Sequence, residues 1–409
     1  MGWVSKVVIY DVIVVGAGPA GSTVAREIAA LGFRTLLLDK ASFPRDKPCG
    51  GGLAWRTVRL IPFDLGPISE GVIHSARFTF YTRPFGPARG SHTFVRRYRE
   101  PLALMTQRCR LDALLAQEAC RRGAAFHDGE GVRSVELDSD GVTVRTEGRA
   151  TGPGGLGIRG GSYRGRALVG ADGANGIVTR AAGLERPREA TVGLEGKLAP
   201  PPEALLAWRK TVAFQLGVLP WGYGWLFPKG DHLNVGLWQR GAAPRREELA
   251  ALVRRLGFDP RALAEVRGHL LPLGRPGTPL VRGPVLLVGD AAGLADPLTG
   301  EGIYGAVRSG QMAARALSCY LSGEARDLSA YQEEVDEQLL ADLQVARQIR
   351  DIFYRRPEIF LFLLARSRRL WEALCQLVRG DTSYRAFKGK LGPLAPLFDG
   401  AAALARPRR

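Results

Sequence analysis

With 409 residues, 45% of them hydrophobic and 24% charged, the chain is long enough for two lobes and an appendage and too apolar for a disordered or fibrous protein. Its formal net charge of +17 favours an anionic partner without choosing among nucleic acid, anionic lipid and an acidic substrate, and arginine so outnumbers lysine that part of the excess reads as composition. Five cysteines, an odd number with no CxxC pair, exclude a disulfide framework and a zinc ribbon and imply a reducing, cytoplasmic setting.

The β-branched run Val7 to Val15 reads as a strand. Tyr10 and Asp11 interrupt it, and no small-residue cleavage site follows, so it is not a signal peptide. The run ends at Gly16; Pro19 to Leu31 is Ala-rich and reads as a helix, and Thr35 to Leu38 as a second strand, which makes a βαβ unit. Residues 40–54, rich in Gly, Pro and Lys, read as a loop. From Arg77 to Tyr98 aromatic and Thr positions alternate with polar ones, as in antiparallel strands, whereas Leu111, Leu114 and Leu115 start a helix that runs to Arg122. Val132 to Val144 and Ala167 to Val169 read as strands around a Gly-rich turn at 151–161, and Val212 to Leu237 as aromatic-rich strands. Pro284 to Val288 is a short buried strand before another Gly-rich turn and a helix through Leu317. Beyond Leu328 the pattern is helical and Arg-dense. Its longest apolar run, Ile359 to Ala365, is far short of the roughly 20 residues that span a bilayer.

The resulting fold class is α/β: a Rossmann-like dinucleotide-binding domain, an interleaved β-sheet domain over the substrate, and a helical C-terminal tail. The expected boundaries are 1–75, 100–180 and 280–327 for the first, 76–99 and 181–279 for the second, and 328–409 for the tail.

Gly16-Ala17-Gly18-Pro19-Ala20-Gly21 is a GxGxxG between strand and helix. Its glycines allow a tight turn and a close approach of backbone to a diphosphate at the helix N-terminus. Asp39, at the end of the second strand, is placed to accept hydrogen bonds from ribose hydroxyls. His74, His92, His127, His232 and His269 show no metal spacing, and no metal is expected. His232 reads equally as a surface residue and as a catalytic one.

Two further segments carry a resemblance. Gly170-Ala171-Asp172-Gly173-Ala174-Asn175 and Gly289-Asp290-Ala291-Ala292 are similar to the second and third flavin fingerprints of the aromatic hydroxylase-like flavoproteins. That resemblance implies FAD, with Asp290 near the ribityl chain, the following helix start near the isoalloxazine, and Arg108 on the flavin-proximal helix. Over most of residues 10 to 320 the chain resembles, more sharply, the geranylgeranyl reductase family. Lys47-Pro48-Cys49-Gly50-Gly51-Gly52 is similar to that family's cysteine and glycine loop. Pro220-Trp221-Gly222-Tyr223-Gly224-Trp225-Leu226-Phe227-Pro228-Lys229 is similar to its substrate signature, and Asp296 to Ile303 extends the third fingerprint in the same manner. The resemblance implies cofactor contacts from Gly16, Gly18, Pro19, Ala20, Gly21, Asp39 and Lys40 at one end. At the other it implies contacts from Cys49, Gly50, Gly51, Arg108, Asp172, Gly289, Asp290, Gly300, Gly302 and Ile303. It further implies substrate contacts from Tyr223, Trp225, Phe227 and Pro228, with Cys49 as catalytic proton donor.

The activity implied is saturation of prenyl double bonds on a lipid, quinone or diphosphate. No second GxGxxG is evident, so an external donor, ferredoxin-like or NAD(P)H, is expected to reduce the flavin. The arginines interspersed with apolar residues from Arg347 to Arg369 suit an anionic membrane surface or a cap on the substrate channel; no nucleic acid is expected. The competing enzyme class, a flavin monooxygenase or halogenase, shares the three fingerprints, but halogenases carry a Trp-x-Trp-x-Ile-Pro stretch from which Tyr223 to Pro228 departs. A flavin-binding protein without turnover is the third reading.

Overall fold

The computed structural model of the chain describes residues 8–82, 90–148, 160–390, 392 and 395–405. Val12, Ile13 and Val14 of the Val8–Val15 strand are fully buried, as are Leu36, Leu37 and Leu38 of Thr35–Leu38. Consecutive burial, not alternation, is what a parallel sheet covered on both faces demands. Val8–Val15 pairs in parallel with Thr35–Leu38 on one side and Ser162–Gly170 on the other; Ala125–His127 and Val285–Leu287 extend the sheet outward, also in parallel. The antiparallel hairpin Glu130–Asp138 and Gly141–Gly148 joins through Ser162–Gly170, and Val281–Arg282 closes the edge beside Val285–Leu287. The eight strands therefore come from the start, the middle and the last third of the chain. The helices Pro19–Ala30 and Ile303–Ser322 pack against each other in the same core.

A second sheet of seven strands runs in the order Leu263–Leu273, Glu189–Leu198, Leu233–Arg240, Gly222–Pro228, Thr211–Leu216, Ser75–Tyr81, Ser91–Arg97. All neighbours are antiparallel except Thr211–Leu216 with Ser75–Tyr81. Side chains of a strand alternate between faces, and each face here has its own cover. On one, Leu226, Val235 and Leu237 pack under Leu249, Leu252 and Val253 of the Arg246–Arg255 helix. On the other, Phe78, Phe214, Tyr223 and Phe227 gather against Leu361, Leu364 and Trp371 of the tail.

The tail consists of the helices Ser329–Val335, Ala341–Arg355, Pro357–Arg366, Arg368–Arg379, Tyr384–Gly389 and Ala395–Ala405, with a π-helical turn at Asp336–Leu340. Pro357 opens its helix where no N–H is needed, and the Ser367 hydroxyl accepts the Leu370 N–H at 3.1 Å to open the next. Trp371 Nε1 donates to the Arg97 carbonyl at 2.8 Å, and Arg96 donates to the Leu364 carbonyl at 3.0 and 2.8 Å. These bonds dock the tail on the end of the strand at the sheet's edge, and the first of them occupies one of that strand's backbone carbonyls.

Several elements differ from expectation. Part of the 40–54 loop is a strand, Gly52–Ala54, paired with Ala103–Met105 in a small sheet that also takes Gly71–Ile73. Val132 to Val144 is a hairpin, not one strand. Glu189–Leu198 and Leu263–Leu273 went unread because their apolar residues do not alternate cleanly: a register shift falls between Glu195 and Lys197, and Glu265 has a positive φ of 51°. The last helix of the dinucleotide region continues to Ser322. Val7 and the Gly-rich turn at 151–161, apart from its last two residues, lie outside the described residues.

Candidate active site

The turn after Val8–Val15 needs glycine for steric reasons. Gly16 has a φ of 104°, and a Cβ there would lie 2.3 Å from the Ala171 carbonyl oxygen; one on Gly21 would lie 1.9 Å from that of Gly16. Gly18 is different: beyond its chain neighbours, the nearest atoms to a Cβ here are Nη2 of Arg45 at 3.7 Å and of Arg108 at 4.0 Å. Pro19 opens the helix, no side chain caps it, and its first turn holds no acidic residue. The unbonded N–H groups of that turn thus lie beside two guanidiniums, an arrangement that favours an anion. Arg108 is buried, not exposed, and grips Asp112 with two bonds of 2.8 and 2.7 Å; Arg45 Nη1 reaches the same fully buried carboxylate at 2.7 Å. Burial disfavours the Arg108 guanidinium, but Asp112 outweighs it and raises its pKa. Asp39 accepts the N–H groups of Ala17 and Ala41, both at 2.9 Å, and Lys40 is exposed next to Gly131.

Asp172 follows the Gly170 strand end, and its Oδ2 accepts the Val178 N–H at 3.0 Å. Its other oxygen is buried without a hydrogen-bond partner among the described residues, and burial raises the carboxyl's pKa. The first and third motifs touch: a Cβ on Gly289 would sit 3.0 Å from that of Ala20. Asp290 Oδ2 is met by Lys47 Nζ and His269 Nε2, each at 3.1 Å. Burial pushes the Asp290 carboxyl up, but the Lys47 ammonium and the His269 ring together hold it well below the usual carboxylate range. A Cβ on Gly302 would lie 3.2 Å from Asp290 Oδ1, and Gly302 precedes buried Ile303 at a second helix start without a side-chain cap.

The aromatic side is assembled from distant segments. Tyr223, Trp225 and Phe227 share one face of Gly222–Pro228, with ring centroids 6.2 Å apart between each consecutive pair. Pro228, by the same alternation, stands on the opposite face. The Lys47 to Gly52 loop packs on these rings: a Cβ on Gly50 would come within 2.9 Å of Phe227 and 3.2 Å of Trp225 Nε1. Trp225 Nε1 donates to Asn234 Oδ1 at 2.7 Å, Asn234 Nδ2 donates to Glu195 at 2.9 Å, and Glu195 accepts the Cys49 N–H at 2.8 Å. Burial raises the Glu195 carboxyl against those two bonds. The thiol of Cys49 is half-buried and its Sγ accepts the Gly51 N–H at 3.3 Å. Tyr223 donates to the Thr299 carbonyl at 2.5 Å, and a Cβ on Gly300 would press to 2.9 Å on Trp238, whose ring lies 5.5 Å from that of Tyr223. Burial, with Asp296, Glu301 and Cys49 nearby, pushes the Tyr223 phenol well above its ordinary pKa.

All three fingerprints and the cysteine loop thus meet along one path from Gly18 to Tyr223. Sequence reasoning gave no role to Glu195, Lys229, Trp238 or His269. Lys229 closes the substrate signature, whereas Glu195 and His269 sit on Glu189–Leu198 and Leu263–Leu273, whose patterns do not read as strands. His232, expected on the surface or in catalysis, is buried beside Asp231 at 2.7 Å.

The donor set fits FAD: glycines that a side chain would fill, an uncapped helix start flanked by guanidiniums for the diphosphate, and a carboxylate at the second strand's end for ribose. Residues 9–339 match the FAD binding domain family. A geranylgeranyl diphosphate reductase of Rhodobacter capsulatus is 30% identical over 356 residues, 85% of each chain. A menaquinone reductase of Mycobacterium tuberculosis is 31% identical over 348 residues, 78% of each. Among solved structures, a geranylgeranyl bacteriochlorophyll reductase-like protein of Thermoplasma acidophilum superposes with a TM-score of 0.71 at 23% identity, covering 85% of this chain and 88% of that one. The chain is an FAD-dependent oxidoreductase of the FAD binding domain family. Within it, the chain belongs to the geranylgeranyl reductase family.

Proposed function

We propose that the protein saturates carbon–carbon double bonds of prenyl chains carried on a lipid, quinone or diphosphate. The observation that carries this reading is the packing of the Cys49 loop on Trp225 and Phe227. It brings the residue next to the Cys49 thiol onto an aromatic face, and in this reading that thiol is the proton donor that an unactivated alkene needs. The relatives support a prenyl substrate class that spans diphosphates and quinones.

In this reading Gly16, Gly18, Pro19, Ala20, Gly21, Asp39 and Lys40 hold the adenosine and diphosphate end of FAD. Cys49, Gly50, Gly51, Arg108, Asp172, Gly289, Asp290, Gly300, Gly302 and Ile303 hold the remainder. The bound cofactor supplies a hydride to one alkene carbon. Cys49 delivers the proton to the other, because an isolated alkene has no carbonyl to absorb charge. Tyr223, Trp225 and Phe227 bind the chain, exclude water and stabilise positive charge with their ring faces; Pro228 shapes the strand from behind. The division of the chain into a discontinuous FAD-binding unit, a substrate sheet and a helical cap is supported by the sorting of strands between the two sheets. The electrons for a bound flavin would come from an external ferredoxin-like or NAD(P)H donor.

The tail supports attachment to an anionic membrane surface. Ile359, Phe362 and Leu363 are exposed on the Pro357–Arg366 helix, flanked by exposed Arg355, Arg356, Arg366, Arg368 and Arg369. Among the described residues no helix is long and apolar enough to cross a membrane.

The test is anaerobic incubation of reduced protein with prenyl diphosphates, prenyl lipids and menaquinones, followed by mass spectrometry. The expected result is products heavier by pairs of hydrogens. Unchanged substrates throughout, or an oxygenated or halogenated product in air, would reject the reductase reading.

A further inference from the structure

We infer that Lys229 is the positioning residue of Cys49: it holds the Cys49 to Gly51 turn against the aromatic strand and gives a positive neighbour to the thiolate that proton transfer leaves behind. The inference rests on the reading of Cys49 as proton donor. Lys229 is buried, and its ammonium donates to the carbonyl oxygens of Gly51 and Thr106, both at 2.9 Å. The Gly51 carbonyl also takes the Thr106 N–H at 2.8 Å, while the Gly51 N–H is the one that donates to Cys49 Sγ. Gly51 is left-handed, with a φ of 61°, and a Cβ on it would come within 2.2 Å of the Thr106 oxygen and 2.7 Å of Lys229 Nζ. The lysine therefore fills the space directly under the turn, at a residue two positions from the thiol.

Packing alone does not call for an ammonium at this place. Both hydrogen bonds go to carbonyls, and burial lowers the Lys229 pKa to about 8. An apolar side chain of similar length would fill the volume without that desolvation cost, losing in exchange the two bonds to the Gly51 and Thr106 carbonyls. The acidic groups that favour the charge there are Glu70 and Glu195, from two different segments, joined by the Cys49 sulfur once its proton has gone. Arg108 and Tyr223 also lie within electrostatic reach of Cys49, and Arg108 is already committed to Asp112. Lys229 is the cation of this group whose bonds hold the cysteine turn itself.

The chemistry gives the charge a use. As one double bond is reduced, the two-electron donor is oxidised and its hydride forms a C–H bond at one carbon. The Cys49 S–H bond breaks and its proton forms a C–H bond at the other. The alkene π bond is consumed and a thiolate remains, which takes a proton back from water. Negative charge has then moved onto sulfur, next to the Lys229 ammonium, which favours the thiolate over an uncharged surrounding.

The test uses FAD-loaded protein under argon. Cys49 is alkylated with iodoacetamide at pH 7 and its peptide is quantified by mass, with Cys109 in the same sample as reference. Lys229→Gln keeps an amide donor for the carbonyls and removes the charge; Lys229→Arg keeps the charge. Labelling of Cys49 relative to Cys109 is expected to fall about tenfold in Lys229→Gln, the effect of losing a close cationic neighbour, and to recover in Lys229→Arg. The gap between parent and Lys229→Gln is expected to narrow above pH of about 8, where Lys229 itself loses its proton. Equal labelling in parent and Lys229→Gln at pH 7 overturns the inference, and so does labelling in Lys229→Arg as slow as in Lys229→Gln. Labelling that shifts as expected while Cys49→Ala turns over prenyl substrate at the parent rate keeps Lys229 as the positioning residue and removes only the proton-donor reading of Cys49.

Discussion

At the Gly16 to Gly21 turn the decisive contacts are made by backbone, and the glycines that make them lie within one βαβ unit, although the guanidiniums of Arg45 and Arg108 beside them come from other segments. At the Tyr223 to Phe227 face they are made mostly by side chains, drawn from several strands of the second sheet and from the tail, with backbone of the cysteine loop and the Thr299 carbonyl packed or bonded onto them. Backbone recognition of a diphosphate leaves a spaced glycine signature, because only the absence of a side chain admits the ligand. Side-chain assembly of an apolar enclosure leaves no comparable spacing, since aromatic residues on a strand face are equally what any core would use.

The comparison breaks most visibly if the two ends do not fail separately. The largest loss is expected from Asp112→Ala, which leaves the buried guanidinium of Arg108 and its neighbour Arg45 without their shared carboxylate. A cost of about 3 to 5 kcal/mol in denaturant unfolding should accompany loss of FAD. Trp371→Ala removes a buried ring and its bond to Arg97 on the aromatic side; about 3 kcal/mol is expected, with the flavin spectrum retained after desalting. Loss of flavin there would show that the tail supports the whole site and not one end of it.

Acid sharpens the same division. Asp290 has a folded pKa held below the unfolded carboxylate value of about 4, so the stability it contributes is present above that value and is lost as pH falls through the folded one. Asp290→Asn should therefore flatten the acid limb of a thermal-midpoint profile below pH of about 4, while the same profile for Trp371→Ala is displaced without a change of slope. The smallest effect on stability is expected from Gly18→Val. A Cβ at Gly18 meets nothing closer than 3.7 Å, so circular dichroism should be unchanged, yet the protein should purify colourless because the side chain takes the room of the diphosphate.

The same contrast governs what was legible in advance. Val8–Val15, Pro19–Ala30 and Thr35–Leu38 follow from a β-branched run, an Ala-rich run and their glycine stop, and the structure matches them within a residue or two. The resemblance supplied the cysteine loop and the aromatic strand, but not that they pack ring against turn. Glu195 and His269 went unseen because their strands have half-buried, bulged patterns, and nothing local announces that one bonds Cys49 and the other Asp290. Arg108 reads as a helix-start arginine until Asp112, one turn on, is found fully buried with it.

The account's central claim is that Cys49, carried to the aromatic face by its loop, supplies the proton to the alkene. The most direct measurement is the anaerobic rate at which reduced protein is reoxidised by a prenyl substrate, compared between parent and Cys49→Ala after both are shown to hold FAD. The account predicts an unchanged flavin spectrum and a rate lower by about a hundredfold, with Cys49→Ser between the two, since a positioned general acid is worth about that much. Equal rates in the parent and both variants would contradict it and leave Cys49 as packing.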